Sequence, residues 1–264
     1  MSARQYAKAE AMARPYLHSR SDAAARDILG TVYRERGEFR AAATILDFPE
    51  WEGLDLVRAN SMAAAGDVAG AERVFKRRFF NPSRISAGGA YAGARAGDEA
   101  RAFAGEHALE ADAISGEADT TVLSAPADSV RIVGARSYYA RDWQLYHHIR
   151  GLIAMRANHM DDAEREFSAA KARFPGWTRT NLLLARVQTA TVHPERALRT
   201  LRRAYREPLD AMGRYAPRSD LDFEMTRAFR ALAQPDSARV YAGYVRLAWV
   251  HADPETARRL ASLP

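Results

Sequence analysis

The sequence contains no cysteine, and this absence excludes several classes of functional site. Without thiols, the chain cannot form disulfides, bind zinc or iron–sulfur clusters through sulfur, or use a thiol nucleophile. Lysine is scarce as well, since 36 of the 39 basic residues are arginine. We interpret this bias first as the mark of a GC-rich coding sequence, because nucleic-acid-binding surfaces usually mix the two residues.

Long hydrophobic runs are also missing. The apolar-looking run at residues 181–185 has only four apolar residues after Asn181, far short of the roughly 20 residues that a membrane-spanning helix needs. Residues 1–17 alternate charged residues with alanine and have no apolar segment of the kind found in secretory signals. We therefore expect a cytoplasmic protein that does not insert into a membrane.

Sequence motifs for catalysis are absent too. The chain has neither of the glycine-rich phosphate-binding motifs, no G-x-S-x-G elbow and no H-E-x-x-H helix. His147 and His148 are neighbours and would point about 100° apart on a helix, so they would not share a metal ion. Asp161 and Asp162 lie at an expected helix start, where they favour the helix dipole. We therefore predict no enzymatic activity, no metal and no cofactor.

Alanine is abundant, at 54 of 264 residues, and this favours helix. Small and large residues also recur at a fixed spacing of 34 residues. Antiparallel helices cross closely only where a small side chain faces a large one, so a repeated small–large pattern predicts repeated helix pairs. The four coincident pairs are Gly151/Ala185, Ala163/Ala197, Phe167/Leu201 and Ala170/Ala204.

This pattern resembles the tetratricopeptide repeat (TPR) family, as found in bacterial TPR-containing proteins. The resemblance implies an all-α fold, a right-handed α-solenoid of antiparallel helix pairs with about six repeats and a capping helix. Weaker copies lie upstream, where Gly37, Gly66 and Gly97 each precede an acidic residue at an expected turn. At the other end, Asp253 and Pro254 predict the N-cap and first residue of a short last helix.

The spacing predicts a single solenoid over residues 1–264 with four regions. Residues 1–107 hold degenerate repeats, and residues 108–142 form an irregular insertion rich in Asp, Ser, Thr and Gly in its first part. Residues 143–208 hold the two best-formed repeats, and residues 209–264 hold a C-terminal repeat and the capping helix. The first 17 residues resemble the second helix of a repeat without its first, which indicates a capping helix or a chain that continues a larger protein.

The family resemblance also implies a binding groove. In TPR arrays the inner groove is lined by the first helix of each repeat, chiefly at its second, fifth, ninth and twelfth positions. A groove that is apolar around Leu152 and Met155 and basic around Arg179 and Arg186 suits an extended or helical peptide with acidic flanks. The candidate groove residues are Arg34, Asn60, Leu145, His148, Leu152, Met155, Arg179, Leu182 and Arg186.

One known variant of this groove is not supported. Chaperone-binding TPR proteins hold a C-terminal carboxylate with a basic residue at the fifth position and asparagine at the ninth. Here Asn60 occupies a ninth position, but Leu56 occupies the fifth position of the same helix. The sequence therefore departs from the pattern of that clamp.

The positive charge is concentrated in the last third of the chain. Residues 177–264 hold 15 arginines and nine acidic residues, so the whole net charge of +6 lies there. Four of these arginines share one face of an expected helix. This face is either a solvated outer surface or a basic patch for an acidic partner, a phosphate or a nucleic acid. Tyr205 and Tyr215 lack the regular spacing of a base-stacking surface. The patch consists of Arg199, Arg202, Arg203 and Arg206.

Taken together, these features predict a non-catalytic scaffold that binds a peptide or a partner protein, acidic in character, in the concave groove. One alternative is the C-terminal TPR portion of a larger bacterial enzyme or regulator. The other is an acidic-partner or nucleic-acid binder that uses the arginine-rich face, and a protein partner is favoured over a nucleic acid. The oligomeric state is left open.

Overall fold

A computed structural model describes residues 3–48, 53–79, 141–173, 178–206 and 216–263. Every regular element in these ranges is helical, which confirms the predicted all-α fold. The third predicted repeat copy (83–107) and nearly all of the expected insertion lie outside the described residues. The α-helices are α1 (Ala3–Ala13), α2 (Asp22–Glu35), α3 (Phe39–Ile45), α4 (Gly53–Ala64), α5 (Val68–Phe79), α6 (Arg141–Arg156), α7 (Met160–Arg173), α8 (Thr178–Ala190), α9 (Pro194–Ala204), α10 (Arg218–Ala231), α11 (Pro235–Ala248) and α12 (Pro254–Ala261).

Several helices in the described residues end in turns of one shared backbone geometry. The turns after α2, α4, α6, α8 and α10 each contain a residue with positive φ: Gly37, Gly66, Asn158, Val192 and Ala233. In each turn the residue after the positive-φ residue donates its backbone N–H to the carbonyl oxygen of the residue five positions before it. This is the hydrogen bond of a Schellman motif at a helix C-terminus. The first two turns use the glycine that the sequence predicts, whereas the later three impose the same geometry on other residues.

Small residues face large ones where the paired helices cross. A Cβ atom on Gly30 of α2 would lie 2.7 Å from Cδ2 of Leu46, and one on Gly151 of α6 would lie 2.6 Å from Cδ1 of Phe167. Both contacts are shorter than carbon atoms tolerate, so the helices approach closely only because these side chains are absent. The packing argument behind the repeat pattern is confirmed at both crossings.

Two matched glycines test this argument. Gly30 and Gly243 are each the ninth residue of a 14-residue helix, but a Cβ atom on Gly243 of α11 would meet nothing within 4 Å. We expect Gly243→Ala to raise the free energy of unfolding by about 0.5–1 kcal/mol through helix propensity. Gly30→Ala should lower it by about 1 kcal/mol, because overpacking against Leu46 outweighs that gain. Urea unfolding measures both, and an equal rise for the two variants would contradict the account.

The chain divides into two compact units, Met1–Asp67 with Gly176–Pro264 (unit 1) and Val68–Pro175 (unit 2). In unit 2, α6 packs against α7. The fully buried ring of Phe167 meets the ring of His148 edge-on, and Nδ1 of His147 lies 2.7 Å from Oε2 of Glu166. The predicted boundaries at residues 107, 142 and 208 stay predictions.

Unit 1 brings the two ends of the described chain together. Helix α1 packs on α2, and α2 contacts α10. One buried cluster contains residues from both ends: Tyr6, Val32, Phe223, Ala242, Val245, Ala248, Trp249 and Leu263. In a simple solenoid each repeat contacts only its neighbours along the sequence, so the repeat spacing alone does not predict this shared core.

None of the helices in the described part of the chain combines the length and apolar character that a bilayer span requires. Over the same ranges, no group of three or more histidine, aspartate or glutamate side chains is arranged to hold a metal ion.

Candidate functional site

A buried glutamate from the N-terminal repeats caps a helix of the C-terminal repeats. Glu35, the last residue of α2, is only 2% exposed. Its Oε1 accepts a hydrogen bond of 3.0 Å from the backbone N–H of Arg218, and its Oε2 accepts one of 3.2 Å from that of Ser219. These N–H groups belong to the first turn of α10, where a helix has no internal acceptors for its donors. Glu35 thus supplies from α2 the cap that α10 needs.

A second cap runs in the opposite direction, and it corrects one prediction. Asp253 is the N-cap residue of α12, as predicted, but its carboxylate does not cap that helix. Its Oδ2 instead accepts a hydrogen bond of 2.8 Å from the backbone N–H of Arg40 in the first turn of α3. The backbone N–H of Asp253 donates to the carbonyl oxygen of Gly37 at 3.0 Å, which holds the carboxylate beside α3.

A second, partly buried carboxylate lies on α10 near the junction at which α2 contacts α10. Burial, and then the negative charge of Glu35, raise the pKa of Asp222 from 3.8 to about 7. The phenol of Tyr205 donates a hydrogen bond to Asp222, and that of Tyr6 donates to Oε2 of Glu35 at 3.4 Å. Burial also raises the pKa of Glu35. The junction therefore holds two carboxyl groups whose pKa values are raised above their usual range.

Two arginines converge on one buried glutamate where α8 and α10 pack together. Nε of Arg186 donates to Oε1 of Glu224 at 2.6 Å, and Nη1 of Arg227 donates to Oε2 at 3.1 Å. The side chain of Glu224 is 1% exposed, whereas those of Arg186 and Arg227 are 31% and 44% exposed. The glutamate therefore fixes the two guanidinium groups while both still reach solvent.

A third arginine comes from the last helix. Nη2 of Arg259 donates to Oδ1 of Asp220 at 2.8 Å. Its guanidinium carbon lies 4.6 Å from the ring centre of Phe223 and 5.0 Å from that of Trp249. Cation–π contacts of this kind hold the planar group against the aromatic surface.

These arginines line one pocket of about 560 Å³ in unit 1. Its walls carry three cationic groups, one apolar ring, one buried carboxylate and one hydroxyl. Such a wall can bind an anion through guanidinium N–H groups. We call this pocket the three-arginine pocket, and its lining residues are Arg186, Phe223, Glu224, Arg227, Arg259 and Ser262.

A second pocket of about 600 Å³ lies between the N-terminal helices and the last helix of unit 1. Arg58 pairs with Asp47 at 2.8 Å, and Arg40 pairs with Glu255 at 3.5 Å. Asp67 is a third carboxylate in the lining, so this pocket offers no excess positive charge to an acidic ligand and is a weaker candidate than the three-arginine pocket.

The predicted groove residues fall in both units. In unit 1, Nη1 of Arg179 donates to Oδ1 of Asn60 at 2.9 Å, so two groove positions 119 residues apart meet. Arg34 and Leu182 are 5% and 6% exposed, and Leu182 belongs to the core cluster of the C-terminal repeats. Arg186 lines the three-arginine pocket.

The groove residues of unit 2 all belong to α6. His148 and Leu152 are 2% and 7% exposed, and Met155 is partly exposed. The side chain of Leu145 lies outside the described residues. The predicted binding role of these four residues stays a prediction.

The predicted basic patch lies on the outside of α9. Its buried face carries Ala197, Leu198, Leu201 and Ala204, and the arginine face is opposite. The four arginines, Arg199, Arg202, Arg203 and Arg206, are all exposed. This placement agrees with either predicted interpretation, a solvated face or a docking patch.

Sequence reasoning missed Arg227 and Arg259. Arg227 carries a usable signal, because it follows Arg186 by 41 residues. Ala233 follows Val192 by the same interval, and these two residues occupy equivalent turns. Arg227 is therefore the counterpart of Arg186 in the next repeat. Arg259 lies in the short last helix, which has no counterpart in the repeat, so the pattern carries no signal for it.

Comparison with known proteins supports the fold. No family model matches the sequence, and no curated protein matches it. The structure is similar to the crystal structure of a tetratricopeptide repeat protein from Parabacteroides merdae ATCC 43184, with a TM-score of 0.51 and 12% sequence identity. The match covers 97% of this chain and 91% of that chain. This chain has a TPR-like helical repeat fold. At such low identity, the similarity concerns architecture alone.

Proposed function

We propose that the chain is a non-catalytic scaffold that binds an acidic peptide segment of a partner protein along the first helices of its repeats. The observation that carries this proposal is the three-arginine pocket, which lies beside α8 at the predicted groove residue Arg186. The TPR-like fold agrees with it, because helical-repeat proteins present extended concave surfaces to their partners.

The electrostatics of unit 1 favour an acidic ligand. The excess positive charge of the sequence lies in residues 177–264, all of which belong to this unit. Arg179 and Arg186 lie on the same helix, α8, about two turns apart. An extended peptide with carboxylates at a matching separation meets both guanidinium groups.

Selection from a random-peptide library tests this function. The purified chain, immobilised, should enrich peptides with a net negative charge, and their binding should show a negative heat-capacity change as apolar side chains are covered. A library of the same length with Asn and Gln in place of Asp and Glu serves as the control. Failure to enrich any peptide, or equal enrichment from both libraries, would contradict the proposal.

A second candidate function uses the outer arginine patch of α9. All four of its arginines are exposed, as a polyanion-binding surface requires. If the patch binds nucleic acid, affinity for duplex or single-stranded DNA should fall steeply with salt, and replacing Arg199 and Arg203 by Gln should reduce the slope by about 2. A shallow slope that the substitutions leave unchanged would exclude this function.

A further inference from the structure

The three-arginine pocket has the features of a built receptor for a single carboxylate group. We propose that it binds one carboxylate of the partner peptide through Arg186, Arg227 and Arg259. This inference rests on the proposed function. It adds the chemical group that is recognised and two residues, Arg227 and Arg259, that are absent from the groove predicted from sequence.

The three guanidinium groups are held in place before any ligand arrives. Glu224 fixes Arg186 and Arg227, while Asp220 and two aromatic rings fix Arg259. Fixing these side chains in advance removes most of the entropy that flexible arginines lose when they bind. The pocket is therefore ordered by contacts within unit 1 alone.

Each guanidinium also keeps donors for a ligand. A guanidinium has five N–H groups, and within the described residues each of these three uses one of them on a carboxylate of the chain. Arg227 and Arg259 are 44% and 32% exposed, so the remaining donors are accessible from the pocket. Two such groups can hold a carboxylate in the paired geometry that arginine favours.

The local charge selects a monoanion. Three arginines against Glu224 and Asp220 leave one positive charge, which a single carboxylate neutralises. A phosphate group, with nearly two negative charges at neutral pH, would leave an excess negative charge beside the buried Glu224.

The test titrates small carboxylates into the whole chain and follows the arginine Nε–Hε signals by NMR. The probes are N-acetylaspartate amide for a side-chain carboxylate, N-acetylalanine for a C-terminal carboxylate, and N-acetylasparagine amide as the neutral control. At fixed ionic strength, one or both carboxylates should shift the signals of Arg186, Arg227 and Arg259 with millimolar affinity, and the stronger probe identifies the source. The neutral control should shift none of them.

The variant Arg227→Gln should weaken the stronger probe by about tenfold, because it removes one charge-assisted pair. It leaves Glu224 paired with Arg186, so the fold should persist, and Arg199→Gln on the outer face is the matched control. Any of four results would overturn the inference: unchanged NMR signals of the pocket arginines, equal shifts at Arg199, stronger binding of inorganic phosphate, or full affinity in Arg227→Gln.

The failure of this inference can be distinguished from the failure of the proposed function. If the chain binds library peptides but the pocket arginines do not respond to a carboxylate, the pocket assignment is wrong and the scaffold function stands. If the library selection fails, the scaffold function itself is wrong.

Discussion

Glu35→Ala should lower the free energy of unfolding of unit 1 by about 3 kcal/mol. The carboxylate of Glu35 accepts hydrogen bonds from the N–H groups of Arg218 and Ser219 and from the phenol of Tyr6. Alanine leaves these three donors in a buried site without that acceptor, and each unsatisfied group costs about 1–3 kcal/mol. The loss also removes the cap of α10 and loosens the contact between α2 and α10.

Two measurements check this expectation. Urea unfolding should show the global loss, and the backbone amides of Arg218 and Ser219 should exchange with deuterium about 100-fold faster. Asp236→Ala is the matched control, because Asp236 is also a carboxylate in the first turn of a helix but its side chain is 89% exposed. The control should cost under about 0.5 kcal/mol. A Glu35→Ala loss no larger than the control's would contradict the role of Glu35.

The second large effect is a pH dependence that Asp222 confers on unit 1. Its pKa rises from 3.8 to about 7 on folding, chiefly through burial and then through Glu35. A carboxyl group whose pKa is higher in the folded state than in the unfolded state stabilises the fold while it is protonated. This stabilisation is lost as the pH rises and the proton leaves the folded protein. The stability of unit 1 should therefore fall as the pH rises from about 4 to about 7, by about 2–4 kcal/mol. The raised pKa of Glu35 acts in the same direction.

Asp222→Asn removes the titrating group while preserving an acceptor for Tyr205. We expect this variant to match the natural chain at about pH 4 and to exceed its stability by about 2–4 kcal/mol at about pH 8. Urea unfolding across this range measures the difference. Asp236→Asn is the control and should leave the pH dependence unchanged. A natural chain that grows more stable between pH 4 and pH 7 would show that the assigned charge environment is wrong.

The helix pairs could be predicted from sequence because their packing depends on residue size at fixed intervals. Gly30 against Leu46 and Gly151 against Phe167 are contacts between neighbouring helices, and such contacts leave a periodic pattern. The turns were only partly predictable. Pairing imposes the left-handed residue after α8 and α10 on Val192 and Ala233, which carry no turn preference of their own.

The junction between the two ends of unit 1 could not be predicted. Glu35 and Ser219 are 184 residues apart, and their hydrogen bond belongs to no repeat. Asp253 shows the same limit, because the sequence identifies an N-cap residue but does not show which helix receives its carboxylate. The candidate site divides in the same way: Arg186 and Arg227 follow the repeat, whereas Arg259 depends on where the last helix packs.

The junction also bears on the candidate site. Asp220, Asp222 and Glu224 are all on α10, whose first turn Glu35 caps and whose middle carries the buried partner of Arg186. Contacts that position α10 therefore also position the three-arginine pocket. Loss of the Glu35 cap should weaken binding of a peptide as well as folding, even though Glu35 does not line the pocket.

Binding of an acidic peptide along α8 is tested by two charge reversals on opposite faces of the same C-terminal repeat. Arg179→Glu with Arg186→Glu changes the first helix, α8, and Arg199→Glu with Arg203→Glu makes the same change in net charge on α9. The affinity of each variant for a library-selected acidic peptide is measured calorimetrically at one ionic strength. We expect the α8 pair to weaken binding by about 100-fold or more and the α9 pair by about twofold or less. An unchanged affinity in the α8 pair, or a larger loss in the α9 pair, would contradict binding of the peptide at α8.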